Sequence, residues 1–250
     1  AFWFCLHTRH KLDSDPKVAA LMDLLGAADS PARPAFYSAV EPVKKKLDAK
    51  TIGEATAMLA GMPKRNAGSV MLRSKDDSWL SWIKWNATRP MTWQFFLDDS
   101  LLQTAAGLQQ LQDFFAKLCA QFPAIAGGGA PYEDWKAKHW RDVLSPGGVP
   151  GVQKVGFDYR GPLTGVYWLT VLGADAVAHF GKARLQGLPI HACVDLGAGG
   201  VMLVMRPDPL APALAERLSQ DRAVAAALGS EYFFDIADAE RELQVIPGLG

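Results

Sequence analysis

Cysteine is scarce in this chain. Cys5, Cys119 and Cys193 are odd in number, far apart and each set in an apolar run. That excludes a secreted disulfide framework and a Cys-x-x-Cys metal site. It predicts three reduced core thiols acting as small hydrophobes in a cytosolic protein. Net charge is missing as well, with 26 basic residues against 26 acidic ones. A nucleic-acid binder needs a basic surplus to displace counterions from phosphates, so no nucleic-acid partner is expected. Lys44, Lys45 and Lys46 form the strongest local run and read as a solvated turn or helix end. No stretch approaches the roughly 18 consecutive apolar residues of a membrane helix. The opening Ala1 to Leu6 is too short for a signal peptide and lacks a basic leader, so a cytoplasmic chain with no membrane partner is expected.

What is present suits a folded protein. Hydrophobic residues make up 49% and charged residues 21% of 250 positions, too apolar for disorder. A chain of this length buries well over half of its unfolded surface without help from metal or disulfides.

Periodicity supplies the elements. Phe2 to Leu6 reads as a buried strand. A helix follows, with Asp15 as N-cap, Pro16 at its first position, Gly26 just past its end, and Val18, Leu21, Met22 and Leu25 on one face. Thr51 and Glu54 form a capping box for a helix to about Met62. Ser69 to Arg73, Trp79 to Asn86 and Met91 to Leu97 predict an antiparallel meander, with Met91, Trp93, Phe95 and Leu97 facing one way. After Asp98-Asp99-Ser100, a helix carries Leu101, Ala105, Leu108, Leu111, Phe115, Leu118 and Phe122 as its buried stripe.

Gly127 to Gly129 and Gly147-Gly148 mark linker-like stretches around a short segment, Tyr132 to Leu144. Val166 to Val171 predicts a strand and Ala174 to Phe180 a helix start. Ile190 to Leu196 and Val201 to Met205 predict a hairpin around Gly197 to Gly200. Asp208 and Pro209 open a last helix with Leu210, Leu214 and Leu218 inward, and the tail from Glu231 is expected to fray near its end. The fold class is therefore α+β: a mixed, mostly antiparallel sheet or two, helices on one face, and two β-α-β-β-α halves. The expected organisation is one domain over 1–250, with a first half of about 1–122, a connector at 123–151 and a second half at 152–250.

The search for chemistry yields little, and neither a metal nor a cofactor is expected. His7 and His10 flank Arg9 but lack further ligands at metal spacing, while His139, His179 and His191 stand alone. Asp98-Asp99 sits at a strand end, where carboxylates can hold Mg²⁺ in hydrolases; helix capping explains the pair equally simply. The glycine runs match neither a P-loop nor a dinucleotide fingerprint. Trp79, Trp82 and Trp85 crowd one strand, Trp79 and Trp85 on the face of Ile83 and Trp82 on the other with Leu80 and Lys84. Such a strand is either covered on both sides or presents one face to a partner.

One segment carries a resemblance. Gly156-Phe157-Asp158, then Gly165-Val166-Tyr167-Trp168-Leu169-Thr170-Val171-Leu172-Gly173, then a helix ending Phe180-Gly181, resembles the TsiV-like immunity proteins of type VI secretion. Those neutralise nuclease toxins of the VRR-NUC type. The likeness covers about 150 to 235, and Tyr167, Val171 and Lys182 depart from the family pattern. Its motif residues (Gly156, Asp158, Gly165, Val166, Trp168, Leu169, Leu172 and Gly173) read as structural. The resemblance implies a single immunity-type domain: a cytoplasmic, non-enzymatic antitoxin that needs no cofactor and occludes a co-encoded toxin by direct contact. Candidate partner-binding residues are Trp82 together with Asp76, Asp77, Asp98 and Asp99, and the four carboxylates would stand in for phosphates. Two other classes stay open: a hydrolase using Asp98, Asp99 and a histidine, and a small-ligand module with a pocket lined by tryptophans.

Overall fold

The structure, a computed structural model, describes residues 1–250 apart from 13, 49, 61–66, 87, 146, 157–162 and 250. The chain divides into two compact units, Ala1–Gly127 and Gly128–Gly250. Among the described residues no helix is long and apolar enough to cross a membrane. The fold is α+β, with antiparallel strand pairing and helices packed on the sheet, as the patterning predicts.

In the first unit, strand β1 (Phe2–Thr8) leads into helix α1 (Asp15–Gly26), short strands β2 (Phe36–Ser38) and β3 (Lys45–Lys46), and helix α2 (Ile52–Ala60). The meander follows as β4 (Ala67–Arg73), β5 (Trp79–Asn86) and β6 (Arg89–Leu97). A 3-10 turn at Asp99–Gln103 then enters helix α3 (Ala105–Gln121). The order across this sheet is β1-β6-β5-β4-β2-β3. Register stacks the apolar positions in rows, so that Leu6, Trp93, Ile83 and Val70 lie side by side. Helix α3 covers that face: Phe115 stacks on Phe4 with ring centroids 3.7 Å apart, and Phe114 meets Phe95 edge-on.

Local punctuation differs from expectation at several ends. Ser14, not Asp15, stands at the N-cap of α1, and Gly26 is its last residue; the stripe Val18, Leu21, Met22 and Leu25 is buried as predicted. Thr51 Oγ1 accepts the Asp48 N–H and donates to the Lys46 carbonyl, while Glu54 pairs with Lys45; the expected capping box gives way to this loop network. The far end of the helix expected to reach Met62 lies outside the described residues. Helix α3 starts later than its pattern suggested, because Asp98 caps the 3-10 turn and Thr104 Oγ1 takes the Gly107 N–H. Leu101 is consequently half-buried and Ala105 exposed.

The stretch expected as a plain connector is structured. Strand β7 (Ala124–Pro131) runs through Gly127 to Gly129 and crosses the boundary between the units. Glycine is required at 128, where an added Cβ would lie 2.2 Å from the Tyr167 ring. Helix α4 (Tyr132–His139) follows, then strands β8 (Trp140–Leu144) and β9 (Pro150–Lys154), an antiparallel hairpin where Gly147-Gly148 suggested a linker.

The second unit continues with β10 (Leu169–Leu172), α5 (Ala174–Phe180), α6 (Lys182–Gln186), β11 (Ala192–Gly197), β12 (Gly200–Val204) and α7 (Leu214–Leu228). Its strands run β11-β12-β10, with the Gly197–Gly200 hairpin turn where it was expected. Strand β10 is shorter than predicted, since Thr170 Oγ1 accepts the Tyr167 N–H and returns a bond to its carbonyl. Helix α7 begins at Leu214 rather than Pro209. Asp208 closes a local turn on the Leu210 N–H, and Arg217 occupies the carbonyls of Leu210 and Pro212. The tail is packed rather than frayed: Ile246 and Leu249 are buried, and the Gln244 N–H donates to the Glu231 carbonyl.

Candidate functional site

The meander gathers the predicted acidic residues at one end of its sheet. The turn from β4 to β5 carries Asp76 and Asp77, and β6 exits into Asp98 and Asp99 beside it; the Asp98 N–H donates to the Ser78 carbonyl at 2.7 Å. The Asp76 carboxylate accepts from Ser78 Oγ at 2.7 Å and from the Ser78 N–H at 3.1 Å. These bonds hold it well below the usual carboxylate range, at about 2. Asp98 is lowered too, chiefly by the Ser100 N–H at 2.8 Å. Both groups are exposed and ionised at neutral pH, and their hydrogen-bond partners are hydroxyl and amide donors without charge of their own. One cation stands beside them: the Ala1 ammonium lies 3.6 Å from Asp99 Oδ2 and its charge also lowers Asp98.

Asp77 is different: it is exposed, sits at φ 62° and pairs with Arg73. Asp99 is exposed at the first position of the 3-10 turn. Trp82 lies three positions along β5 from Trp79, whose register partner is Leu97, so it stands about 10 Å from the acidic end. It occupies the sheet face opposite α3, half-buried, with Lys84 Nζ 3.4 Å from its ring centroid. Trp79 and Ile83 fill the core face as expected, and Trp85 covers Gly68, where an added Cβ would lie 2.1 Å from the indole.

Histidine does not join the carboxylates of this unit through His7. His7 pairs in register with Thr92, and Asp98 lies six positions further along β6, about 20 Å away. Its Nδ1 is 3.1 Å from Thr92 Oγ1, and burial pushes the imidazole down to about 4. Burial raises the neighbouring Cys5 thiol to about 12. Among the described residues no cluster of three His, Cys, Asp or Glu side chains is placed to hold a metal ion. The lysine run is partly paired, Lys45 with Glu54 and Lys46 with Asp48.

The second unit holds a polar arrangement that sequence reading missed. Asp134 on α4 receives both Nη2 and Nε of Arg217 on α7, at 2.6 and 2.9 Å. Arg206 donates to Asp221 at 2.9 Å and approaches Asp134 at 3.6 Å, and Lys138 reaches Asp221 at 2.5 Å. Asp134, Arg206, Arg217 and Asp221 are all buried. Burial pulls the Lys138 ammonium below its usual range against the opposing pull of Asp221, while Asp134 raises Arg217.

Beside this network, His139 Nδ1 lies 2.8 Å from the Val155 carbonyl, which can only accept, so Nδ1 carries the proton. Nε2 faces the Tyr167 hydroxyl at 2.6 Å, which also lies 3.0 Å from the Thr164 carbonyl, and burial holds the imidazole neutral, at about 4. A usable signal existed: Arg217 and Asp221 fall four apart on the same helical face as Val224 and Leu228, inside the apolar stripe.

The motif residues take structural places. Val166, Trp168, Leu169 and Leu172 are buried, and the Trp168 indole donates to the Arg206 carbonyl at 2.7 Å. Gly173 is the N-cap position of α5, while Gly156 and Gly165 adopt positive φ; Asp158 lies outside the described residues. A concavity of about 410 Å³ between α1 and α3 is lined by Asp29, Gln110, Asp113, Phe114 and Lys117. A second, of about 240 Å³ in the second unit, is lined by Lys138, Asp221, Arg222, Phe233 and Arg241. Neither has a tryptophan wall. No protein-family model matches the chain, and no curated protein matches it.

Proposed function

We propose that this chain is a cytoplasmic immunity protein that binds and neutralises a co-encoded type VI secretion toxin, a nuclease, by direct occlusion. One observation carries the reading. Asp76 and Asp98 are exposed, ionised, held by local hydrogen bonds and without a cation among those bonds, at one end of the meander. A nuclease groove that grips phosphates offers the complementary charge, and fixed carboxylates engage it without a large ordering cost. Trp82 and Lys84 extend the same surface along β5. The resemblance of residues 165–173 to the TsiV-like motif supports the same partner class, and on this reading the chain acts by contact rather than by catalysis.

Two measurements test it. Expressing the gene beside this one should arrest growth, and co-expressing this chain should restore it; a harmless neighbour overturns the reading. With that toxin purified, Asp76→Lys together with Asp98→Lys should weaken binding by about 100-fold, with a shallower salt dependence of association. Unchanged affinity removes the acidic end from the interface.

A further inference from the structure

Among the described residues, exposed large apolar side chains concentrate on the β8–β9 hairpin: Leu144 is 73%, Val149 64% and Val152 50% exposed. The hairpin is a sheet of two strands only, and all five residues of β9 are exposed. A ribbon of two strands is marginal in water by itself and gains from a third. Asp142 faces Val152 and Leu144 faces Pro150, so Leu144 and Val152 share one surface of the ribbon.

The hydrogen bonds at its two ends set the phase. The Ser145 N–H donates to the Val149 carbonyl at 3.0 Å, and the Val155 N–H donates to the His139 carbonyl at 2.9 Å. Alternation between these ends makes 141/153 and 143/151 the bonded pairs. The N–H and C=O of Val152 and Lys154, and the C=O of Pro150, therefore point outward along β9, an edge that no other strand among the described residues pairs with.

We propose that this edge joins a second copy of the chain, β9 against β9, antiparallel about a two-fold axis at Val152. Each Val152 exchanges two backbone hydrogen bonds with Val152 of the second copy, and each Lys154 N–H meets the Pro150 carbonyl of the second copy. Lys154 then stands opposite Pro150, so no like charges face each other. The same operation on the β8 edge centres on Asp142 and sets carboxylate against carboxylate, which is destabilising. Pairing through β9 yields a four-stranded sheet with Leu144 and Val152 of both copies on one continuous strip, and the two-fold axis closes it as a dimer. An edge of five residues buries less than the roughly 1,200 Å² of a standard interface, so the dissociation constant is expected between about 10 μM and about 1 mM.

Sedimentation of the full chain from about 1 μM to about 1 mM should show reversible doubling of mass. Val152→Asp and Val152→Lys each place like charges across the axis and should weaken the dimer at least about ten-fold, whereas their equimolar mixture should associate again. Val152→Cys should form a disulfide-linked dimer under mild oxidation, above any background that Cys193 gives in the unsubstituted chain. A monomer at every concentration overturns the proposal. So does a Val152→Asp variant that dimerises unimpaired, or a mixture of folded charge variants that stays monomeric. Loss of toxin binding in Val152→Asp with no change in self-association assigns the edge to the toxin instead.

Discussion

Both units pack ring against ring, but among the described residues only the second adds a buried ionic network. In the first, aromatic rings meet rings: Phe4 on Phe115 at 3.7 Å, Phe95 on Phe115 at 5.6 Å and Trp93 on Phe122 at 4.8 Å. In the second, α4 and α7 are joined by Asp134, Arg217, Arg206, Asp221 and Lys138, with the His139–Tyr167 pair alongside. Ring packing draws its stability from area removed from water, in proportion to what is buried and almost independently of pH. A buried ionic network instead depends on completeness, because each charge is tolerable only while its partners remain. The lesson is that similar sheet-and-helix layouts can differ sharply in brittleness.

The most direct way to break the comparison is Asp134→Ala. It strands Arg217 and leaves Arg206 with only Asp221, and should cost about 3–5 kcal/mol in urea unfolding. Pairing it with Arg217→Met should recover a large part of that loss, a non-additivity that single truncations in the aromatic core will not show. Phe115→Ala in the first unit should cost about 3–4 kcal/mol through lost burial and a residual cavity, with little change between pH 5 and pH 8.

Acid acts on both units, because burial holds His7 in the first and His139 in the second at about 4. The folded protein holds His139 at about 4, whereas the unfolded chain titrates near 6.5, so its contribution is complete above pH 6.5 and declines as pH falls towards 4. For each histidine the decline should approach about 3 kcal/mol, so His139→Gln should remove about half of the pH dependence over that window and leave the share that His7 supplies. The smallest effect belongs to capping. Thr104→Ala removes the acceptor for the Gly107 N–H at the start of α3 and should cost about 1 kcal/mol, at any pH.

Legibility in sequence followed the range of the forces involved. The stripe of α1, the span of β5, the alternation along β6 and the β11–β12 turn were readable because periodicity and turn residues act within a few positions. The four acidic positions were readable as residues, since turns and caps call for Asp, although their convergence at one sheet end depended on strand register. Gly127 to Gly129 misled because glycine reads as a linker, whereas Gly128 makes room for the Tyr167 ring. The start of α7 misled because Asp208-Pro209 is a sound local signal that Arg217 overrides by taking the carbonyls of Leu210 and Pro212.

By itself the sequence determined that this is an α+β chain with apolar strands, amphipathic helices and acidic turns, because side-chain period and turn chemistry are local properties. Only the tertiary structure decided that Asp134, Arg206, Arg217, Asp221 and Lys138 share one buried network and that Asp76 and Asp98 share one end of the meander. Charges up to 87 positions apart find one another only once strands and helices are packed. Desolvation then fixes which of them must pair and which remain facing solvent.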